Sequence, residues 1–276
     1  MKQAMNNARR TQHLRRQVAA CACLPALLGA CGGGGGDPGN NANAVGAPAG
    51  ALRAEVERLF PYAPDQPMDM LFECRRANSQ LLYYFGFSPN RVLDVFFETD
   101  TQQQVGFSGT YTHAGGTIRL LAPGNNILPL DESSTRIVPR LGLVGEFETA
   151  SMRCVAVAHG YNGAAADAFV RYRCPTINAG PGGSEENVFE FNDSSSPFGV
   201  QFRGGVFRQR DYWATFNGQP IVARGTGIYR RSGDVFYADF GSQFSDHNLL
   251  KGRFAGGEAQ LTVEQLDPAA GPCTRR

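Results

Sequence analysis

The sequence predicts an all-β protein, an antiparallel barrel or sandwich, and indicates two similar β halves. Apolar runs of strand length recur between turn residues, and Gly (34), Pro (16) and Phe (19) are abundant. Apart from the Ala-rich stretch 163–168, no helical stripe of useful length follows Pro61, so a parallel α/β fold is not expected. The 26 Lys+Arg against 25 Asp+Glu provide no strongly basic surface, so a nucleic-acid partner is not expected.

Residues 1–30 have the pattern of a lipoprotein signal peptide. The first 16 residues carry five basic and no acidic side chains, and the 13-residue apolar run 18–30 follows. A membrane-spanning helix needs about 20 apolar residues. The run is therefore typical of a cleaved secretory leader.

The apolar run ends in Leu28-Gly29-Ala30-Cys31, which resembles the lipobox of bacterial lipoproteins. The resemblance implies lipidation of Cys31, and Gly32 after it implies sorting to the outer membrane, with the protein facing the periplasm or the cell surface. One alternative is an ordinary cleaved leader without lipid. Another is the lipobox-like Val18-Ala19-Ala20-Cys21, which would leave almost no apolar run after Arg16.

Residues 31–66 are expected to contain the lipidated Cys, a Gly-rich linker and one short helix. Cleavage leaves 21 basic and 25 acidic residues, a net charge of −4, so anchoring would depend on the lipid and not on anionic headgroups. Residues 32–48 lack apolar periodicity and predict a flexible tether. Leu52, Val56, Leu59 and Phe60 have helical spacing and predict a short helix that ends near Pro61. This apolar stripe is expected to pack on the β domain, and the alternative is a helix that lies in the membrane interface.

The β region is predicted to comprise half one, residues 67–160, and half two, residues 161–276. Asn217-Gly218 favours a tight hairpin turn. Predicted strands from residue 79 onward are Leu81–Phe85, Val92–Phe97, Val105–Thr112, Thr117–Leu121, Tyr212–Phe216, Ile221–Tyr229 and Val235–Phe240.

Three local patterns recur in the same order in the two halves. Duplication explains them, but Gly-aromatic pairs also arise by chance in a β protein rich in both. The pairs are Phe72-x-Cys74 with Tyr172-x-Cys174, Gly109-x-Tyr111 with Gly227-x-Tyr229, and Gly145-x-Phe147 with Gly252-x-Phe254.

Four cysteines follow Cys31, and an even number in an exported protein predicts disulfides. Three connectivities are possible. We expect pairing within each half, which ties its ends together. A zinc site is the alternative, but no CxxC spacing is present, and no motif supports a catalytic thiol. The expected bridges are Cys74–Cys154 and Cys174–Cys273.

Three segments resemble META-type domains of bacterial envelope lipoproteins, which implies a β domain of that kind. They are Phe107-Ser108-Gly109-Thr110-Tyr111, Gly115-Gly116-Thr117-Ile118 and Thr149-Ala150-Ser151-Met152-Arg153-Cys154, and the region that holds them, residues 107–154, is about a fifth of the chain. The chain departs from the pattern at 104–106, where the usual Cys-Asn pair is absent, and at the long segment 122–148.

Residues with catalytic or ligand chemistry are few, and no catalytic, metal or cofactor site is predicted. Asp246-His247 could be the orienter and base of a hydrolytic triad, but no G-x-S-x-G elbow supplies a nucleophile. His113 falls in a predicted turn. Basic pairs are expected at hairpin edges, where charge blocks edge-to-edge pairing; they are Arg75-Arg76, Arg208/Arg210 and Arg230-Arg231.

The sequence thus predicts a non-enzymatic outer-membrane lipoprotein that serves as a binding or envelope-structural module. The second hypothesis is a calycin-like carrier of a small apolar ligand inside a barrel. The third is a hydrolase that uses Asp246-His247. Aromatic residues that could line a carrier's cavity are Tyr83, Phe85, Phe96 and Trp213.

Overall fold

The structure, a computed structural model, describes residues 49–77, 82–90, 92–98, 104–122, 130–160, 170–175, 185–191, 203–216, 219–241, 248–266 and 271–276. These ranges contain one helix, α1 (Ala49–Leu59), and seventeen strands. The predicted all-β class is confirmed. Strands begin at Met70, before the predicted onset at residue 79.

The strands form two bodies that follow one another along the chain. Those of the first are β1 (Met70–Arg76), β2 (Leu82–Phe87), β3 (Val92–Glu98), β4 (Gln104–Ala114), β5 (Thr117–Ala122), β6 (Leu130–Ser133), β7 (Arg136–Arg140), β8 (Leu143–Glu148) and β9 (Met152–His159). Those of the second are β10 (Val170–Arg173), β11 (Glu185–Phe191), β12 (Gly205–Phe216), β13 (Gln219–Ser232), β14 (Val235–Asp239), β15 (Leu249–Ala255), β16 (Gln260–Val263) and β17 (Cys273–Arg275). The predicted boundary between residues 160 and 161 falls between the two sets.

The second body is a closed barrel in which each strand pairs with its neighbour along the chain and β17 pairs back onto β10. Its interior holds an aromatic cluster. The Phe191 ring lies 4.9–5.9 Å from four others, in mostly edge-to-face contacts that aromatic quadrupoles favour. These partners are Tyr172, Tyr229, Phe236 and Phe254.

The first body is a nine-stranded antiparallel sheet in the order β6-β5-β4-β3-β2-β1-β9-β8-β7. Strand directions alternate along this order, so β6 and β7 run in the same direction. Only Ser134 and Thr135 separate them. Ser134 N donates to Ile118 O on β5 (2.7 Å), and Thr135 N donates to Glu148 O on β8 (2.7 Å).

Strands β6 and β7 are therefore two parts of one bent strand that leaves β5 and joins β8. This strand brings the two edges of the sheet together, so the first body is also an eight-stranded up-and-down barrel. Side chains strengthen the seam, since the Glu132 carboxylate on β6 accepts from Thr149 Oγ1 and Ser151 Oγ, each at 2.6 Å.

With β6 and β7 counted together, the two bodies correspond strand by strand, from β1 with β10 to β9 with β17. The first two sequence patterns lie on equivalent strands. The third pattern is wrong as a repeat, because Gly145 lies on the seventh strand of its body and Gly252 on the sixth of the other. Each glycine has its own role: a Cβ at 145 would meet Arg140, and a Cβ at 252 would meet the Phe236 ring.

Both disulfides have the expected connectivity. Cys74 and Cys154 are register partners on β1 and β9. Cys174 follows β10 directly and bonds to Cys273 at the start of β17. Each bridge thus joins the first and last strands of one barrel.

Helix α1 forms where the apolar spacing predicts it and packs between the barrels. Its stripe residues Leu52, Val56 and Phe60 are buried. They belong to one core cluster with residues inside the first barrel and with Ile228 and Tyr237 of the second. The residues next to these two in the sequence, Tyr229 and Phe236, pack inside the second barrel, so Ile228 and Tyr237 are on its outer face. The helix therefore lies against the outer face of the second barrel.

Candidate functional site

A chain segment following α1, residues 62–69, crosses one end of the first barrel. Gly115 N donates to Asp65 Oδ1 (2.6 Å), which holds the segment to the β4–β5 turn. Met68 N donates to the Tyr111 hydroxyl (2.9 Å), and that hydroxyl donates to Ser88 O (2.9 Å). These bonds leave a cavity between the segment and the barrel.

The cavity has a volume of about 150 Å³. Its apolar wall comprises Met68, Met70, Leu143 and Val144, and its polar wall includes Tyr62, Asp69 and His113. Segment residues Gln66 and Pro67, which also line it, are exposed, so the cavity lies at the surface end of the barrel.

His113 presents a hydrogen-bond acceptor in this region. It is 2% exposed, and its Nδ1 lies 2.8 Å from Gln66 O. Because a carbonyl oxygen only accepts, Nδ1 carries a hydrogen, and in the tautomer with its single hydrogen on Nδ1 the other nitrogen, Nε2, is an acceptor. Nε2 is buried and has no hydrogen-bond partner among the described residues. The predicted turn at His113 is wrong, since the residue is on β4 and the turn begins after Ala114.

Tyr62 places a second buried polar atom at the cavity. Its hydroxyl, like Nε2 of His113, has no hydrogen-bond partner in the described ranges. Burial, and to a lesser extent the charge of Asp65, raises the pKa of Tyr62, so the hydroxyl keeps its proton and can donate. An unpaired buried hydroxyl costs about 1–3 kcal/mol.

A second cavity, of about 100 Å³, is also lined by Tyr62 and lies between α1 and the β7–β8 turn. That turn is Leu141-Gly142, with φ of 49° and 72°. A Cβ at Gly142 would lie 2.5 Å from Phe60 O, so only glycine fits. Leu141 is buried, which offsets its unfavourable φ.

Charged groups fix the second barrel against the turn and the helix. Arg230 Nη1 donates to Leu141 O (3.1 Å), and its guanidinium lies 4.4 Å from the centre of the Phe60 ring. Burial lowers the pKa of Arg230. Arg140 Nη1 forms an ion pair with Asp239 Oδ1 (2.9 Å) and its Nη2 contacts Glu146.

Glu55 of α1 binds two side chains of the second barrel. The Tyr237 hydroxyl donates to Glu55 Oε1 (2.6 Å), and Lys251 Nζ donates to Oε2 (3.1 Å). The Tyr237 bond, together with Lys251, holds the pKa of Glu55 below its usual value despite burial. Burial and then the Glu55 bond raise the pKa of Tyr237, while for Lys251 the acidic neighbours outweigh burial and raise its pKa.

Several predicted site residues lie outside the described residues or away from the cavity. Cys31, Asp246 and His247 are outside the described residues, as are the stretch 163–168 and the Asn217-Gly218 turn, although β12 and β13 pair up to Phe216 and Gln219. The side chains of Phe96 and Trp213 are likewise outside them, whereas Tyr83 and Phe85 are buried in the first barrel's core.

The expectation that arginines lie at hairpin edges is wrong for Arg208, Arg210 and Arg230. Arg208 is fully buried on the face of β12 that also carries Val206, and its Nε and Nη2 donate to Asn187 Oδ1 (3.1 and 2.8 Å). Its register partner is Gly225, which leaves room for the guanidinium. Arg210, on the same face, is also buried. Arg208 and Arg210 lie two and four residues after Val206, and this alternation is the sequence pattern that places all three side chains on one face of the strand.

Among the described residues, no group of three or more His, Cys, Asp or Glu could hold a metal ion. Within the same ranges, no helix has the length and apolar character needed to cross a membrane. No family model, curated protein or solved structure matches this chain.

Proposed function

We propose that this chain is an outer-membrane-anchored lipoprotein whose two disulfide-tied barrels serve as a non-enzymatic binding or structural module of the cell envelope. Its contact with the membrane is the lipid on Cys31. Its partner is an envelope component or a small ligand, and not a nucleic acid.

The disulfides carry this proposal. Such bonds form and persist in oxidising compartments and are rare in the cytosol. The two bridges use every cysteine that follows Cys31 in the sequence. Cys31 is therefore not needed for either disulfide and is free for lipidation. The leader-like residues 1–30 and the disulfides of the folded region both favour an exported protein.

The arrangement of charged groups supports a module role over an enzymatic one. Glu55, Arg140, Asp239 and Lys251 bind one another or their neighbours across the contact between the barrels. Their hydrogen bonds and ion pairs hold α1 and the two barrels together, which is a structural role rather than a catalytic one.

A calycin-like carrier with its ligand in the barrel interior has weaker support. In the first barrel, the ring of Phe72 lies 5.4 Å from Phe87 and 5.0 Å from Phe147, and Phe87 lies 4.9 Å from Tyr111. These described rings occupy the volume that such a ligand would need.

Metabolic labelling with palmitate tests the proposal. In a host with a working lipoprotein pathway, the wild-type chain is expected to incorporate label and to fractionate with the outer membrane. Cys31→Ser should abolish incorporation, whereas Cys21→Ser, at the rival lipobox, should retain it. Label that persists in Cys31→Ser, or that disappears only in Cys21→Ser, would overturn the assignment.

A further inference from the structure

We infer that the cavity at the end of the first barrel binds a small neutral molecule that carries a hydroxyl group, of the size of phenol. This inference does not depend on the lipid anchor. It rests on the volume of the cavity and on the chemistry of its walls.

The two buried polar atoms determine the ligand's functional group. His113 Nε2 accepts a hydrogen bond, and the Tyr62 hydroxyl can donate one. Both residues line the cavity, and neither atom is satisfied by another described residue. A single hydroxyl both donates and accepts, so it complements the pair. Burying these atoms unsatisfied would cost free energy that a ligand's hydroxyl recovers.

The apolar wall determines the rest of the ligand. A cavity of about 150 Å³ is large enough for one benzene-sized molecule. Met68 and Met70, both buried, line one side, and thioether sulfurs make favourable contacts with aromatic rings. A monocyclic aromatic ring therefore suits the wall better than a flexible chain of the same volume.

Charge excludes an anionic ligand. Asp69 lines the cavity, and Asp65 lies on the segment that covers it. No lysine or arginine is among the lining residues of this cavity in the described part of the chain. A carboxylate or phosphate would have to enter beside these acids without a counterion, so a neutral ligand is favoured.

The methionines provide a direct measurement. The full chain would be labelled with ¹³C at the methionine methyl groups, purified with both disulfides formed, and titrated with phenol in NMR. The signals of Met68 and Met70 should shift with saturation. Met152 is an internal control: it is buried in the same core, but it pairs with Arg76 at the other end of the β1–β9 ladder, away from Met70.

Substitutions separate hydroxyl recognition from filling of an apolar space. His113→Asn retains a donor for Gln66 O and removes Nε2, so it should weaken phenol binding about tenfold, the ratio expected for one hydrogen bond. Toluene has the same ring without the hydroxyl, and its affinity should stay within about twofold. Tyr62→Phe should also weaken phenol binding while toluene binding is unchanged. This second variant keeps the test decisive if His113→Asn does not fold.

Three results would overturn the inference. The first is no saturable shift of Met68 and Met70, the result expected if the two polar atoms bind only water. The second is an equal shift of Met152, which indicates nonspecific binding. The third is an equal loss of phenol and toluene affinity in Tyr62→Phe and in folded His113→Asn, which would show that the hydroxyl is not recognised.

Discussion

Arg140 at the end of β7 and Asp239 at the end of β14 form an ion pair between the two barrels, with Nη1 and Oδ1 2.9 Å apart. Both side chains are largely buried, at 16% and 15% exposure. The other end of the Arg140 guanidinium contacts Glu146, which is 5% exposed. One arginine thus neutralises carboxylates from both barrels.

We expect Arg140→Met to lower the free energy of unfolding by about 3 kcal/mol, because it leaves two buried carboxylates without this counterion. Urea denaturation measures the loss. Arg136→Met is the matched control four residues earlier on the same strand: Arg136 is 62% exposed and 3.5 Å from Glu148. Its loss should be below about 0.5 kcal/mol. Equal losses in the two variants would contradict a stabilising role for the buried pair.

The Leu141-Gly142 turn lies against the backbone of Phe60, just after α1, and this close approach gives a second prediction. Gly142→Ala would place a Cβ 2.5 Å from Phe60 O at a φ of 72°. Gly116 has nearly the same φ, 70°, but a Cβ there meets no atom of the described residues within 4 Å. Gly116→Ala therefore measures the backbone strain alone, about 1 kcal/mol.

Gly142→Ala should cost at least about 2 kcal/mol more than Gly116→Ala, because α1 must shift away from the turn. Thermal unfolding of both variants at one pH provides the comparison. Losses that agree within about 0.5 kcal/mol would show that the helix accommodates the methyl group without a penalty.

The elements that the sequence predicted correctly depend on local patterns. The stripe Leu52, Val56 and Phe60 has helical spacing, and α1 forms there with these side chains buried. Pairing within each half of the sequence predicted both disulfides, because the first and last strands of an up-and-down barrel are neighbours. The alternation of apolar and polar residues between turn residues predicted the bounds of β4, β5 and β14 to within about two residues.

The features that the sequence did not predict depend on distant contacts. His113 is buried because residues 62–69 cross the barrel end about fifty positions earlier, and nothing near His113 indicates that segment. Arg208 is buried because Gly225 and Asn187, on two other strands, provide space and an acceptor. The bent strand formed by β6 and β7 is recognised only from the directions of its neighbours.

The disulfides give a third prediction, in which the two barrels should respond differently. The chain-entropy model gives about 4–5 kcal/mol for closing loops of 80 and 99 residues, so the two bridges have similar effects on the unfolded chain. The ladders that they close differ. Among the described residues, seven register pairs join β1 to β9, but two join β10 to β17.

Removing the second bridge, by Cys174→Ala with Cys273→Ala, should therefore open its barrel at the seam. Amides of β10 and β17 should lose protection in hydrogen exchange. Removing the first, by Cys74→Ala with Cys154→Ala, should lower stability while β1 and β9 amides remain protected relative to global unfolding. Loss of protection at the β1–β9 seam alone would contradict this difference.

His159 supports a prediction on pH. Its Nε2 lies 2.6 Å from Tyr229 O, so it connects the last strand of the first barrel to the second. The ring also lies against Gly204, where a Cβ would be 2.0 Å from Nε2. Burial, with a smaller effect of the Arg230 charge, lowers the pKa of His159.

The direction in which stability changes with pH follows from the number of protons that the folded and unfolded chains bind. Below about pH 6.5 the unfolded chain protonates this histidine while the folded protein does not, so stability falls as the pH falls from 6.5 toward the lower folded pKa. His159→Gln keeps a donor for Tyr229 O and removes the titration. Urea denaturation from pH 7.5 to 5 should give a steeper decline for wild type, by up to about 1.4 kcal/mol per pH unit. Every other titrating group is common to both proteins, so parallel curves would mean that the pKa of His159 is the same in the folded and unfolded chain.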